Sequence, residues 1–168
     1  MSPAQTTALK WSFFAGCCML LALVRQLLLG SLTIWGALPF LPPVILAVIA
    51  SFEPVRPAVI FGLAYGAVCD LALPAAFPCL YTLAFTLAAL LVSSLSSSVL
   101  QPGFPRALLM TVVTFFVVDC FNAAAIALRG AGALLPMLSL FVRETLVSCL
   151  LLVPVYPLLR AVRRIFPE

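Results

Sequence analysis

The chain contains no histidine, and its 168 residues include only nine Lys and Arg and five Asp and Glu. Without imidazole, a zinc-dependent intramembrane protease lacks its usual ligands and a Ser-His hydrolase lacks its base. Charged residues make up 8% of the chain against 65% hydrophobic, too little polar surface to cover a water-soluble domain. The six cysteines (Cys17, Cys18, Cys69, Cys79, Cys120 and Cys149) include no Cys-X-X-Cys pair and fall in apolar segments or at their ends. They read as small lipid-compatible or core residues, with neither a disulfide nor a metal site expected. The basic residues form no patch interleaved with aromatics, which argues against nucleic acid. No glycine-rich loop is followed by Lys-Ser/Thr, so no phosphate cradle and no cofactor is expected.

What the sequence has in quantity is hydrophobic length, with a mean hydropathy of +1.27. It reads as an all-α integral membrane protein with one transmembrane domain over 1–168, because several spans of roughly 20 residues use up the chain. Segment 11–29 lacks a small-residue cleavage motif and is followed by further spans, so it reads as a retained helix. Prolines divide the rest, since proline ends helices and is tolerated in their first turn. Six spans are expected, near 10–30, 35–52, 57–73, 77–100, 105–128 and 134–162. Pro39, Pro42 and Pro43 interrupt the second, which leaves five full crossings as the alternative.

With six spans, Lys10, Arg56, Arg106, Arg160, Arg163 and Arg164 collect on one side and Arg129 stands on the other. Basic loops stay in the cytoplasm, so both termini are expected there. The outer loops, 31–35, 74–77 and 129–133, are too short for an extracellular domain, and short loops throughout predict a monomeric six-helix bundle. The serines at 93, 94, 96, 97 and 98 are expected at the inner end of the fourth span, with hydroxyls bonded back to helix carbonyls.

Two patterns stand out. In the third span Ala58, Gly62, Gly66 and Asp70 recur at every fourth position, so on a helix they share one face. Small residues so placed let another helix approach closely, within the bundle or from a partner protein. The second pattern is charge inside spans: Arg25, Asp70, Asp119, Arg143 and Glu144. Each costs roughly 2.5–3.5 kcal/mol at a bilayer centre on insertion scales unless it is paired or reaches the interface. Counted from the outer ends, Arg25 and Asp70 share a shallow depth, and Asp119 and Arg143 a greater one with Glu144 beside them. Arg25–Asp70 and Asp119–Arg143 are the expected pairs, fixing helix register or serving a partner. An aspartyl dyad needs two carboxylates at one depth, which Asp70 and Asp119 do not have, so no enzyme is expected.

The third span, Phe61-Gly62-Leu63-Ala64-Tyr65-Gly66-Ala67-Val68-Cys69-Asp70-Leu71, follows a short Glu/Pro turn and resembles the glycine-glycine-aspartate segment of the rod shape-determining MreD family. The length, the six spans, the basic tail and Asp119 in the fifth span also resemble that family. One departure is the turn after the aspartate, Leu73-Pro74-Ala75-Ala76-Phe77-Pro78, where the family usually has glycines. The resemblance implies a non-catalytic subunit of the bacterial cell-wall elongation complex, multi-pass in the cell membrane. Its implied partners are a bitopic MreC-like protein, a RodA-type glycosyltransferase and a class B penicillin-binding protein. The family's bundle is similar to the S components of energy-coupling-factor vitamin transporters, so the alternative is a substrate-binding transporter subunit. S components often carry a small-xxx-small motif in the first span, whereas here Ala15 is followed four later by Met19.

Overall fold

The computed structural model describes residues 3–24, 38–73, 77–98, 103–130 and 134–165. Its helices in chain order are α1 (Pro3–Val24), α2 (Leu41–Phe52), α3 (Val55–Ala72), α4 (Leu80–Ser98), α5 (Phe104–Leu128) and α6 (Leu134–Ile165), with no strand among the described residues.

The second hydrophobic run becomes the shortest helix. Pro42 and Pro43 sit in the first turn of α2, where a missing N–H removes no helical hydrogen bond. Its 12 residues rise only about 18 Å, well short of a bilayer core of about 30 Å. Every residue from Leu41 to Ser51 is buried, and α2 touches all five other helices. A helix apolar on all sides is stable only when enclosed, and α2 is the axis around which the others pack. One core cluster joins α1, α2, α5 and α6 around Phe14, Ile45, Phe115 and Leu152. The other joins α2 to α5 around Leu46, Phe85, Ala88 and Met110.

Three helical stretches are long and apolar enough to cross a membrane: Val55–Ala72, Phe104–Leu128 and Leu138–Arg163. Their outward faces carry large hydrophobic side chains such as Ile60, Phe116 and Leu150, and Leu71 at the end of α3 is 91% exposed. Such a surface is intolerable in water and ordinary against lipid. Inside, hydroxyls are satisfied locally: Thr111 Oγ1 donates to Ala107 O, Thr114 Oγ1 to Met110 O, and Ser93 and Ser96 Oγ to Ala89 O and Ser93 O, all within 3.0 Å. Back-bonding of this kind lets a hydroxyl lie in apolar surroundings at little cost. α6 remains one helix of 32 residues through Pro154 and Pro157.

Candidate functional site

The side chains that carry charge in an otherwise apolar bundle gather in three places. The first is the seam between α3 and α4, the most extensive helix contact in the molecule. Ala58, Gly62 and Gly66 are buried along it. A Cβ on Gly62 would stand 2.8 Å from both Ala89 Cβ and Phe85 O, and one on Gly66 would stand 2.6 Å from Thr82 Cα and 2.7 Å from Tyr81 O. The stripe therefore meets the backbone of α4, which makes it an internal packing face rather than a partner's. At its outer end Asp70 reaches the first turn of α4. Tyr81 N donates to Oδ1 at 2.9 Å, and Thr82 N and Oγ1 donate to Oδ2 at 2.8 and 2.6 Å. The carboxylate thus caps a neighbouring helix, satisfying backbone donors that have no intrahelical acceptor and facing the positive end of the helix dipole. The expected partner, Arg25, lies outside the described residues. Just before α4, Cys79 adopts φ 63°, a conformation that glycine takes freely.

The second place is the end of the bundle where α1 and α5 start and α2 and α6 finish. Lys10 Nζ meets Glu53 Oε1 at 2.7 Å, with the two side chains only 8% and 1% exposed. Beyond that contact neither Glu53 oxygen has a hydrogen-bond partner among the described residues. Arg106 Nη2 donates to Ser51 O at 3.0 Å, placing a guanidinium at the C-terminal, negative end of α2. The Arg163 guanidinium lies 5.2 Å from the Phe52 ring centre and that of Arg160 5.8 Å from Tyr156. Phe52 and Tyr156 themselves pack together. The buried Lys10–Glu53 pair was not among the expected charge pairs. Its signal was faint: Glu53 is the one acid between the second and third spans, at the same end as Lys10.

The third place is a groove of about 520 Å³ between α5 and α6, lined by Phe116, Asp119, Ala123, Val142, Leu146 and others. The expected Asp119–Arg143 ion pair is not formed among the described residues. Successive helical residues are turned by about 100°, so Glu144 and Arg143 cannot face the same neighbour. Glu144 is half-buried, whereas Arg143 is exposed.

A fourth feature carries no charge. Between α1 and α3 a groove of about 630 Å³ is lined by Trp11, Ala15, Met19, Ile60, Phe61 and Tyr65. Trp11, Phe61, Tyr65 and Phe85 form a run of stacked rings behind it, with centres 5.3–5.8 Å apart. Ala15 and Met19 both face this groove, and Met19 is largely exposed.

These features define a class: a protein all-helical among the described residues, with the outer surface of a membrane protein, whose acids at 53 and 70 are engaged in holding helices together and which carries grooves that open sideways between helices. Comparison with known proteins finds no family model, no curated protein and no solved structure that matches this chain.

Proposed function

We propose that the chain is a non-catalytic, six-span subunit of the bacterial cell-wall elongation complex, with both termini in the cytoplasm. In this reading it binds an MreC-like bitopic protein and, with it, supports a RodA-type glycosyltransferase and a class B penicillin-binding transpeptidase. The observation that carries the reading is the state of Asp70, the acid of the glycine-glycine-aspartate segment. Its two oxygens accept three hydrogen bonds from the start of α4, which is the work of a structural clamp. The lateral grooves are almost wholly apolar, as suits a protein that acts by holding other helices in the bilayer.

The test is affinity purification of the tagged chain from its native membrane in mild detergent, with identification of the proteins retained. Recovery of a single-span protein with a periplasmic coiled coil is the expected result. Recovery of a pair of ATPases with a transmembrane coupling protein would replace this reading with the transporter subunit.

A further inference from the structure

We infer that the basic end of the bundle is a binding site for the phosphate of an anionic membrane lipid, held by Arg160 and Arg163 of α6 where they lie over the Tyr156 and Phe52 rings. The inference needs only that the bundle lies in a bilayer, and it does not depend on the elongation-complex reading.

It starts from how the two charges are held. Arg160 and Arg163 are exposed and stand three residues apart on α6, so they are neighbours on one helix face, where like charges repel. An anion between them turns that repulsion into attraction. The Arg163 guanidinium lies 5.2 Å from the centre of the Phe52 ring and that of Arg160 5.8 Å from Tyr156, and the two rings pack 5.8 Å apart. Phe104, at the start of α5, meets Tyr156 edge-on at 5.6 Å. Rings from α2, α5 and α6 thus form one platform, and Tyr156 at its centre is buried. A ring beneath a guanidinium occupies its flat face and not its N–H edge, which is the part that forks onto an oxyanion.

No acid among the described residues forms a salt bridge with either arginine. The acid at this end, Glu53, has a side chain 1% exposed and is held by Lys10 at 2.7 Å. Arg106 adds a third positive charge beside the platform, since it donates to the carbonyl of Ser51, the residue before Phe52. Depth then decides which anion comes. The apolar stretch Leu138–Arg163 has 26 residues, about 39 Å at 1.5 Å each against about 30 Å of hydrocarbon, so the end that carries both arginines reaches the headgroup layer. Phosphates of the surrounding lipids lie at that level. A soluble acidic segment would have to enter the layer to compete, whereas an anionic lipid is already there.

The test uses the delipidated full-length chain in mild detergent, titrated with phosphatidylglycerol or with phosphatidylcholine, with bound lipid counted by native mass spectrometry. Wild-type protein should take up phosphatidylglycerol at a concentration roughly tenfold or more below that of phosphatidylcholine. Arg160→Gln and Arg163→Gln should each weaken phosphatidylglycerol binding roughly fivefold, the share of one arginine near a charged lipid surface, with phosphatidylcholine little changed. Arg129→Gln is the control: it removes the same charge from another arginine over a ring, Phe77 at 4.8 Å, but at the opposite end of α5. It should leave both lipids unaffected. Arg160 and Arg163 are exposed, so their variants should melt with the wild type in lipid-free detergent, and phosphatidylglycerol should raise the melting temperature of the wild type more than theirs. Inorganic phosphate in large excess should not displace the lipid. The inference is overturned if wild-type protein binds the two lipids alike, which would leave this end to an acidic protein segment. It is equally overturned if Arg129→Gln weakens binding as much as Arg160→Gln and Arg163→Gln do, if neither of those two changes it, or if inorganic phosphate displaces the lipid.

Discussion

Gly66→Leu should abolish recovery of folded protein, and Gly66→Ala should lower its stability in detergent by about 1–3 kcal/mol, the usual cost of forcing extra atoms into a filled interior. The asymmetry between the two stripe glycines makes the expectation specific. At Gly66 an added Cβ meets Thr82 Cα at 2.6 Å and Tyr81 O at 2.7 Å, both backbone atoms of α4 that cannot yield without moving the helix. At Gly62 the nearest atoms, Ala89 Cβ and Phe85 O, both stand slightly farther off at 2.8 Å, and one of them belongs to a side chain. Gly62→Ala should therefore be the milder substitution. Displacement of α4 at Gly66 also pulls the Tyr81 and Thr82 donors away from Asp70, so the steric and capping losses arrive together. Melting of purified variants, followed by tryptophan fluorescence or by aggregation, gives the order. Equal stability of Gly66→Leu and the parent would mean that α3 and α4 do not meet as described.

A second large effect is expected at the other end of the bundle. Lys10→Met leaves the Glu53 carboxylate buried with no cation within reach among the described residues, and removal of one partner of a buried pair costs about 3–5 kcal/mol. Glu53→Met removes the anion 2.7 Å from the Lys10 ammonium and should also lower stability. Replacing both by methionine should restore much of the loss, because an apolar pair of similar volume needs no desolvation. The double-mutant cycle on thermal stability reads this directly as a coupling well above the about 0.5 kcal/mol found for independent sites. Additive losses would show that the 2.7 Å contact contributes nothing to folding.

How far the sequence could be read follows from what each signal encodes. The fourfold spacing of Ala58, Gly62, Gly66 and Asp70 specifies a face, and the face packs tightly as spacing implies. The same spacing says nothing about Asp70's partners, because two of its three donors are backbone amides, and every residue has one. Prolines marked the second run as irregular, yet the enclosure of α2 depends on five other helices and has no local signature. Glu53 is buried for that reason: it ends a helix that nothing exposes. Arg143 shows a different limit. Counting residues measures depth at 1.5 Å each, but pairing also requires direction, and one residue's step turns the side chain by about 100°. Glu144 is therefore half-buried while its neighbour Arg143 is exposed.

The proposed reading has the basic end of the bundle in the cytoplasm, and the position of that end is measured most directly by reporter fusions. Alkaline phosphatase, active only outside the cytoplasm, should be inactive when joined after Glu168 and active when inserted after Gly130, beyond the end of α5. A fluorescent protein that matures only in the cytoplasm should give the reverse pattern. Phosphatase activity from the fusion after Glu168 would contradict that reading, because it would place Arg160 and Arg163 outside.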